Sequence, residues 1–289
     1  MKYTGGKFDN TERNLIFNAG QPDNFMRASQ HRNCLFAVNE LKSESAQNKV
    51  QTLLDNGMRV FIDSGIFNLA MEHVRKTGIT HDKALALAPT AIIGFDKLWD
   101  NYITIIKKFE TQCWGYIELD QGGKENKIKT RTKLENLGLA PIPVYHPIID
   151  GWDYFDVLAT NYDRICVGNI VQASKPLRLR LIATIYERKR KYPNLFVHLL
   201  GYSCNEYMNA YPLDSCDSSS WLQSVRWSPP LEKTDSKNMG WMLKDFKYLL
   251  GGVGSHEQQS KSIQQGAVIT NFTQRNWHNH LNDLQETIL

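Results

Sequence analysis

The hydrophobic pattern of this chain changes period repeatedly, and this change is the feature that most constrains its fold. Apolar runs of strand length alternate with segments in which apolar residues recur every three or four positions. Strands that alternate with helices predict βαβ units and a parallel sheet. The strand-like runs span residues 59–63, 114–120, 142–146, 164–168 and 195–201.

Helical periodicity fills the intervals between these runs. One helical face carries Ala46, Val50, Leu53 and Leu54, and the dipeptide Asn56-Gly57 after it is a helix stop. Two further helical faces are formed by Leu98, Tyr102, Ile105, Ile106 and Phe109, and by Leu177, Leu181 and Ile185.

Several such units in one chain of 289 residues leave two architectures, a closed barrel or an open doubly wound sheet. No Gly-x-Gly-x-x-Gly follows the early strands, which argues against the dinucleotide-binding form of the open sheet. We therefore predict one α/β domain over residues 1–289 with a (β/α)8 TIM-barrel fold. Residues 14–18 or 35–38 are expected to open the barrel, and the pattern places no last strand.

Composition limits the setting of the protein more than its chemistry. A formal net charge of +4 permits a phosphate-rich partner without requiring one. No apolar run approaches the roughly 20 residues of a membrane span, and residues 1–14 lack the apolar segment of a signal peptide. The five cysteines are scattered, so we expect neither disulfides nor structural zinc. These features favour a cytoplasmic protein without a membrane partner.

The residues that end the strand-like runs are the candidate site, because barrel enzymes gather their active residues at the carboxyl ends of the strands. An aspartate at such a position is often only the N-cap of the next helix, which is worth about 1 kcal/mol. His146 alone is more often a structural histidine, and His198, inside its run, is expected to lie in the core. The converging residues are Asp63, Asp120, His146, Gly168, Asn169 and Gly201, with Asp217 in a later segment.

Two of these carboxylates suggest a reaction when they are taken together. Paired carboxylates around a sugar anomeric carbon are the usual means of cleaving a glycosidic bond, since one attacks the carbon and the other moves protons. Asp63 and Asp217 are far apart in sequence, but a barrel can bring them to one end. The pattern therefore indicates chemistry at a glycosidic carbon.

Two motifs resemble those of the guanine transglycosylase superfamily, the queuine tRNA-ribosyltransferase-like proteins. Residues 63–67, Asp-Ser-Gly-Ile-Phe, resemble the family's Asp-Ser-Gly-Gly-aromatic motif, with Ile66 in place of the second glycine. Residues 214–217, Asp-Ser-Cys-Asp, resemble its Asp-x-x-Asp element. The string that follows, residues 217–221, looks more like the phage and bacterial DNA-guanine transglycosylases of the DpdA type than like the tRNA enzymes.

The resemblance implies a role for each matched residue. Asp217 would be the nucleophile, supported by Asp214, and Asp63 the general acid and base. Phe67 would stack on the base, and Asp120 would read its guanine-like edge. The remaining base-binding positions would be Ser64, His146 (where the tRNA enzymes carry glutamine), Gly168, Asn169 and Gly201.

Basic residues provide candidate contacts with the nucleic acid. Arg226 matches a basic position that follows the nucleophile in the family. The cluster after Asp120 and the start of the segment after Gly168 lie on the expected side of a barrel for phosphate binding. These candidates are Lys124, Lys127, Lys129, Arg131 and Lys175.

The implied activity is exchange of a guanine in DNA for a free 7-deazaguanine, such as 7-cyano-7-deazaguanine, through a covalent aspartyl intermediate and without cofactor or metal. The tRNA enzymes carry a C-terminal zinc module of three close cysteines and a histidine, and no such cluster occurs in this sequence. A tRNA-guanine transglycosylase is therefore the first alternative. A barrel glycoside hydrolase and a non-catalytic nucleic-acid-binding module are the others, and the oligomeric state stays open.

Overall fold

Strands and helices alternate along the chain as the hydrophobic pattern predicts. The computed structural model describes residues 1–9, 11–13, 15–19, 32–202 and 210–219. The strands are β1 (Leu15–Ala19), β2 (Asn33–Ala37), β3 (Arg59–Asp63), β4 (Gly115–Tyr116), β5 (Val144–Tyr145), β6 (Arg164–Val167), β7 (Phe196–Leu199) and β8 (Ser215–Ser218). The helices are α1 (Glu44–Asp55), α2 (Ile66–Thr77), α3 (His81–Ala86), α4 (Phe95–Phe109), α5 (Gly123–Asn136), α6 (Trp152–Asn161) and α7 (Lys175–Lys189).

The eight strands form one parallel sheet in the order β4-β3-β2-β1-β8-β7-β6-β5. Its two edge strands meet, because Ile117 and Ile142 form a parallel bridge. The Ile142 N–H donates to the Tyr116 carbonyl (2.8 Å), and the Glu118 N–H donates to the Ile142 carbonyl (3.0 Å). The sheet is thus closed, and the predicted (β/α)8 barrel is confirmed.

Both segments proposed for the first strand are strands, and they pair with each other as β1 and β2. The hydrophobic pattern did not predict the last strand, β8, because its sequence, Ser-Cys-Asp-Ser, is largely polar. Ser215 and Asp217 alternate with Cys216, so the two polar side chains share one face of the strand. A strand that contributes polar groups to a site loses the apolar signature by which strands are recognised.

Aromatic side chains fill the interior of the barrel. The ring centroids of Phe17, Phe61 and Trp114 lie 4.8–5.3 Å from one another. Below them, the buried guanidinium of Arg164 donates to the carbonyls of Gly5 (2.6 Å) and Trp114 (2.9 Å). The N-terminal segment therefore covers the amino-terminal ends of the strands, and the open end is the one where the strands finish, called here the barrel mouth.

Two larger apolar clusters pack the helices against the outside of the barrel. One joins α1, α2 and α4 to β2, β3 and β4, and the other joins α6 and α7 to β5, β6 and β7. Among the described helices, none combines the length and the apolar character needed to cross a lipid bilayer.

Candidate active site

A cavity of about 450 Å³ opens at the barrel mouth. This size lies within the range of roughly 300–1,000 Å³ typical of small-molecule sites. The cavity brings together eight residues that the sequence marked for the site: Asp63, Phe67, Asp120, His146, Gly168, Asn169, Gly201 and Asp217. They follow or end β3, β4, β5, β6, β7 and β8, so nearly the whole ring of strands contributes.

Asp217 lies on the inward face of β8, and its side chain is 6% exposed. Its Oδ1 accepts a hydrogen bond from the Gly201 N–H (2.9 Å) and lies 3.1 Å from Nε2 of His198. Hydrogen bonds donated to a carboxylate stabilise its ionised form. These two contacts orient the Asp217 carboxyl group at the edge of the cavity.

His198, which the sequence placed in the core, is buried but also belongs to the polar layer of the site. Its ring lies between Ser215 Oγ, 2.7 Å from Nδ1, and Asp217 Oδ1. The ring packs edge-on against Phe61, with centroids 4.8 Å apart. The available signal was a single polar residue in an apolar strand run that ends at the mouth.

Asp63 ends β3 and faces the same cavity. Burial, and then the charges of Asp120 and Asp217, raise the pKa of Asp63 to about 7, while backbone N–H groups of Gly65 and Ser64 act in the opposite direction. Asp63 and Asp217 line the same cavity, and the charge of Asp217 favours the neutral form of Asp63. Near neutral pH Asp63 can hold or release a proton.

The turn after Asp63 depends on Gly65, whose φ is +76°. A Cβ at this position would lie 1.5 Å from Asn39 Oδ1, and Asn39 donates to the Gly65 carbonyl (3.1 Å). Only glycine fits this position. The turn starts α2 so that Phe67, 50% exposed, projects at the cavity rim.

Asp120 and His146 form a second pair on the opposite wall. The distance from His146 Nε2 to Asp120 Oδ2 is 2.9 Å, and the His146 N–H donates to Asp150 Oδ2 (2.7 Å). Asn169, which follows Gly168 after β6, has a φ of +66°, a backbone conformation that asparagine tolerates better than most residues. This wall offers a carboxylate, an imidazole and closely approaching backbone.

Several polar residues of the cavity were missed by the sequence analysis, among them Glu40 and Gln121. Glu40 follows β2, accepts a hydrogen bond from the Ala37 N–H (3.0 Å), and has a pKa raised by burial. Gln121 donates to the carbonyls of Ala84 (2.7 Å) and Leu87 (2.9 Å), which ties the end of α3 to the mouth. Gln121 directly follows Asp120, which was its sequence signal, whereas Glu40 lies three residues beyond the end of β2 and had none.

Two predicted site residues lie outside the cavity. Ser64 is fully buried, and its hydroxyl accepts from the Ile66 N–H (3.4 Å) at the start of α2, so it stabilises a helix end and not a base. Asp214 precedes β8 at its amino end, accepts from the Val197 N–H (2.7 Å), and pairs with Arg13 (2.8 Å). β8 therefore separates Asp214 from the mouth, and the structure gives it no direct contact with the cavity.

The predicted phosphate contacts divide into buried and exposed groups. Lys127 is fully buried in an ion pair with Asp150, and Arg131 is 5% exposed and pairs with Glu118 (3.1 Å). Neither can reach a phosphate at the surface, so these two predictions are wrong. Lys124, Lys129 and Lys175 are exposed, and Arg226 lies outside the described residues.

Within the described part of the chain, no group of three or more His, Cys, Asp or Glu side chains is arranged to hold a metal ion. A second depression runs along α1 on the outside of the barrel and brings together side chains of that helix alone. The candidate site is therefore the cavity at the barrel mouth.

No protein-family model matches the sequence, and no curated protein matches it. Among solved structures, a native KDPGal structure is 9% identical, with 92% of this chain and 95% of that chain covered and a TM-score of 0.45. A protein of Aquifex aeolicus VF5 from a structural study is 13% identical, with coverages of 89% and 95% and a TM-score of 0.41. The carboxyl transferase domain of Rhizobium etli pyruvate carboxylase with 3-bromopyruvate is 10% identical, with coverages of 89% and 48% and a TM-score of 0.39. None of these likenesses bears on the resemblance to guanine transglycosylases, which rests on the sequence motifs of residues 63–67 and 214–217.

Proposed function

We propose that this protein is a DNA-guanine transglycosylase, a pentosyltransferase that exchanges a guanine in DNA for a free 7-deazaguanine. One observation carries the proposal. Asp217 and Asp63, which belong to two distant motifs, face one cavity at the open end of a closed barrel. A nucleophilic carboxylate and a second carboxyl group that moves protons are what exchange at a glycosidic carbon requires.

The first half-reaction uses both groups. Asp217 attacks C1′ of the extruded guanine nucleotide, and a C1′–O ester bond forms as the C1′–N9 bond breaks. The departing guanine retains the electron pair of that bond at N9 and takes a proton from the neutral carboxyl of Asp63. A pKa near 7 leaves a substantial protonated fraction of Asp63 for this step at neutral pH.

The second half-reaction reverses these roles. The ionised Asp63 removes the N9 proton of the incoming 7-deazaguanine, and N9 forms a bond to C1′ as the ester bond breaks. Asp217 leaves as a carboxylate, stabilised by the donors at its Oδ1. Protons and electrons balance over the two steps, and the enzyme returns to its initial state.

Asp120, His146 and Phe67 supply the proposed binding site for the base. The Asp120 carboxylate accepts from the amino and ring N–H groups of a guanine-like edge, and His146 fixes its orientation through the 2.9 Å contact. The Phe67 ring at the rim provides a stacking surface. The glycine at 168 leaves room for the His146 ring itself, since a Cβ there would lie 2.9 Å from its Nε2.

The target nucleotide must leave its helix to enter a cavity of this kind. Lys124 and Lys175 are exposed and begin helices that follow strand ends, so their charges lie on the mouth side of the barrel. Lys129 lies further along α5. These lysines are the proposed phosphate contacts of the described residues.

A covalent adduct between protein and DNA tests the proposal directly. Wild-type protein mixed with guanine-containing duplex DNA should give a slower band on a denaturing gel, and addition of 7-cyano-7-deazaguanine should discharge it. Asp217→Asn should give no band but retain DNA binding. Asp214→Asn is the matched control from the opposite end of β8, and it should still form the adduct.

Parallel reactions separate the alternatives. Labelled 7-deazaguanine that enters duplex DNA supports the proposal, whereas label that enters only tRNA assigns the protein to the tRNA enzymes. Release of reducing sugar without base exchange would assign it to the glycoside hydrolases. If the Asp217→Asn variant keeps its function, the protein would be a non-catalytic nucleic-acid-binding module.

A further inference from the structure

We infer that His198 is a positioning residue that holds Asp217 for attack through a hydrogen-bond chain that runs from Ser215 to His198 to Asp217. The inference rests on the proposed function and adds a group to its machinery. The chain connects β7 with β8 inside the barrel, directly beneath the cavity.

Strand pairing produces this alignment. His198 is the register partner of Ser215, and Asp217 follows Ser215 by two residues, so both side chains on β8 point to the same face as the imidazole. Nδ1 lies 2.7 Å from Ser215 Oγ, and Nε2 lies 3.1 Å from Asp217 Oδ1. The two ring nitrogens therefore each have one partner.

The partners determine which nitrogen of His198 carries hydrogen. The ionised Asp217 carboxylate only accepts, so Nε2 must donate to it, whereas the Ser215 hydroxyl can donate to an unprotonated Nδ1. A neutral imidazole with hydrogen on Nε2 satisfies both contacts. Ser215 thereby selects the tautomer of His198 that Asp217 needs.

Packing fixes the ring in this orientation. His198 is 1% exposed, and its ring meets Phe61 at an interplanar angle of 87° and Phe17 at 74°. The strand that carries it, β7, pairs with β6 on one side and with β8 on the other. A donor held this firmly needs no reorganisation when the charge on Asp217 changes during the reaction.

The chemical consequence is that the two carboxylate oxygens of Asp217 have different roles. The contacts from His198 and from the Gly201 N–H meet at the same oxygen, Oδ1. Oδ2 is then the oxygen that attacks C1′, from a carboxylate whose rotation is blocked. In the second half-reaction the same two donors stabilise the carboxylate as it leaves.

Two substitutions of His198 separate positioning from packing. His198→Gln retains a side-chain N–H that can reach Asp217, whereas His198→Phe retains the ring shape but removes the donor. We expect kcat for base exchange to fall by about tenfold to a hundredfold in His198→Phe, the loss of one hydrogen bond to a charged group, with KM for DNA unchanged. His198→Gln should recover most of that loss.

An NMR measurement can determine the tautomer of His198 in the hydrogen-bond chain without catalytic turnover. In 15N-labelled wild-type protein, two-bond 15N–1H correlations of the His198 ring should show hydrogen on Nε2. Ser215→Ala, which removes the donor to Nδ1, should weaken this preference and lower kcat by a smaller factor than His198→Phe. The matched control is His73→Gln, since His73 is a buried histidine outside the cavity that accepts from the Ile93 N–H; it should leave kcat unchanged.

The possible failures are distinguishable. A wild-type protein that forms no DNA adduct overturns the proposed function and this inference with it. If the wild type reacts and a folded His198→Phe variant reacts equally fast, the inference alone is overturned. Equal losses in His198→Gln and His198→Phe, or hydrogen on Nδ1 in the wild type, would overturn it as well.

Discussion

Gly168 and His146 lie so close together that a Cβ at position 168 would be 2.9 Å from the imidazole Nε2. The same Nε2 is 2.9 Å from Asp120 Oδ2, so the absence of a side chain at Gly168 is a condition for the Asp120–His146 pair. The backbone of Gly168 is not in the left-handed region, and the constraint is therefore one of space and not of φ.

Gly168→Ala should accordingly damage base recognition more than folding. We expect His146 to be displaced from Asp120 and KM for the free 7-deazaguanine to rise by about tenfold, equivalent to one hydrogen bond. Steady-state kinetics with varied base would measure this. In a His146→Ala background the added methyl group should have no further effect, and a full additional loss there would contradict the steric explanation.

The proton on Asp63 should link stability to pH. Burial and the neighbouring carboxylates raise the pKa of Asp63 to about 7 in the folded protein, whereas the unfolded chain has the ordinary value of 3.8. The folded protein binds this proton more tightly, so the stability it contributes is full below pH 3.8 and is lost as pH rises through about 7. The difference between the two pKa values corresponds to at most about 4 kcal/mol.

Asp63→Asn, whose amide is permanently neutral, should therefore gain stability relative to wild type as pH rises from 4 to 8. Urea unfolding at several pH values would measure the difference in free energy of unfolding. Asp100→Asn, at an exposed position on α4, is the control for the exchange of a carboxylate for an amide. A constant difference between Asp63→Asn and wild type across this range would contradict the assigned pKa.

Lys127 and Lys124 should behave in opposite ways although they are three residues apart on α5. Lys127→Met leaves the buried Asp150 carboxylate without its ion-pair partner and should reduce the free energy of unfolding by about 3–5 kcal/mol. Lys124→Met, at an exposed position, should change it by less than about 0.5 kcal/mol but weaken DNA binding. Denaturant unfolding and a salt-dependent binding assay would distinguish the two, and a stable Lys127→Met with reduced DNA affinity would contradict the burial.

Phe67 offers a test of stacking with little risk to the fold, because its side chain is 50% exposed. Phe67→Ala should weaken binding of the free base by about tenfold, since stacking on an aromatic ring is worth roughly 1–3 kcal/mol per base. Phe67→Tyr should retain affinity. Calorimetric titration with 7-cyano-7-deazaguanine would measure both, and unchanged affinity of the alanine variant would remove Phe67 from the proposed binding site.

The sequence by itself determined the architecture and most of the cavity. Strands that are buried in a parallel sheet have sequences of consecutive apolar residues. Each apolar run ends at the residue where the strand reaches solvent. Reading those ends therefore located Asp63, Asp120, His146 and Gly168 at one mouth. Nothing beyond local hydrophobic pattern and barrel topology was needed for this step.

Tertiary structure alone decided which polar residues work there and which are buried. Lys127 and Arg131 are four residues apart on one face of α5, and only the fold shows that this face meets the buried carboxylates of Asp150 and Glu118. The sequence shows which residues are charged, but it does not show which residue forms an ion pair with each of them.

The contacts of His198 and Asp214 differ from the sequence expectation for a related reason. His198 pairs in register with β8 and so meets Asp217, whereas Asp214 lies at the other end of that strand and pairs with Arg13. Strand register joins residues that are distant along the chain, and local sequence carries no record of it. The hydrophobic pattern therefore determined the barrel and the residues at its strand ends, while register and side-chain pairing determined the hydrogen bonds of Asp217.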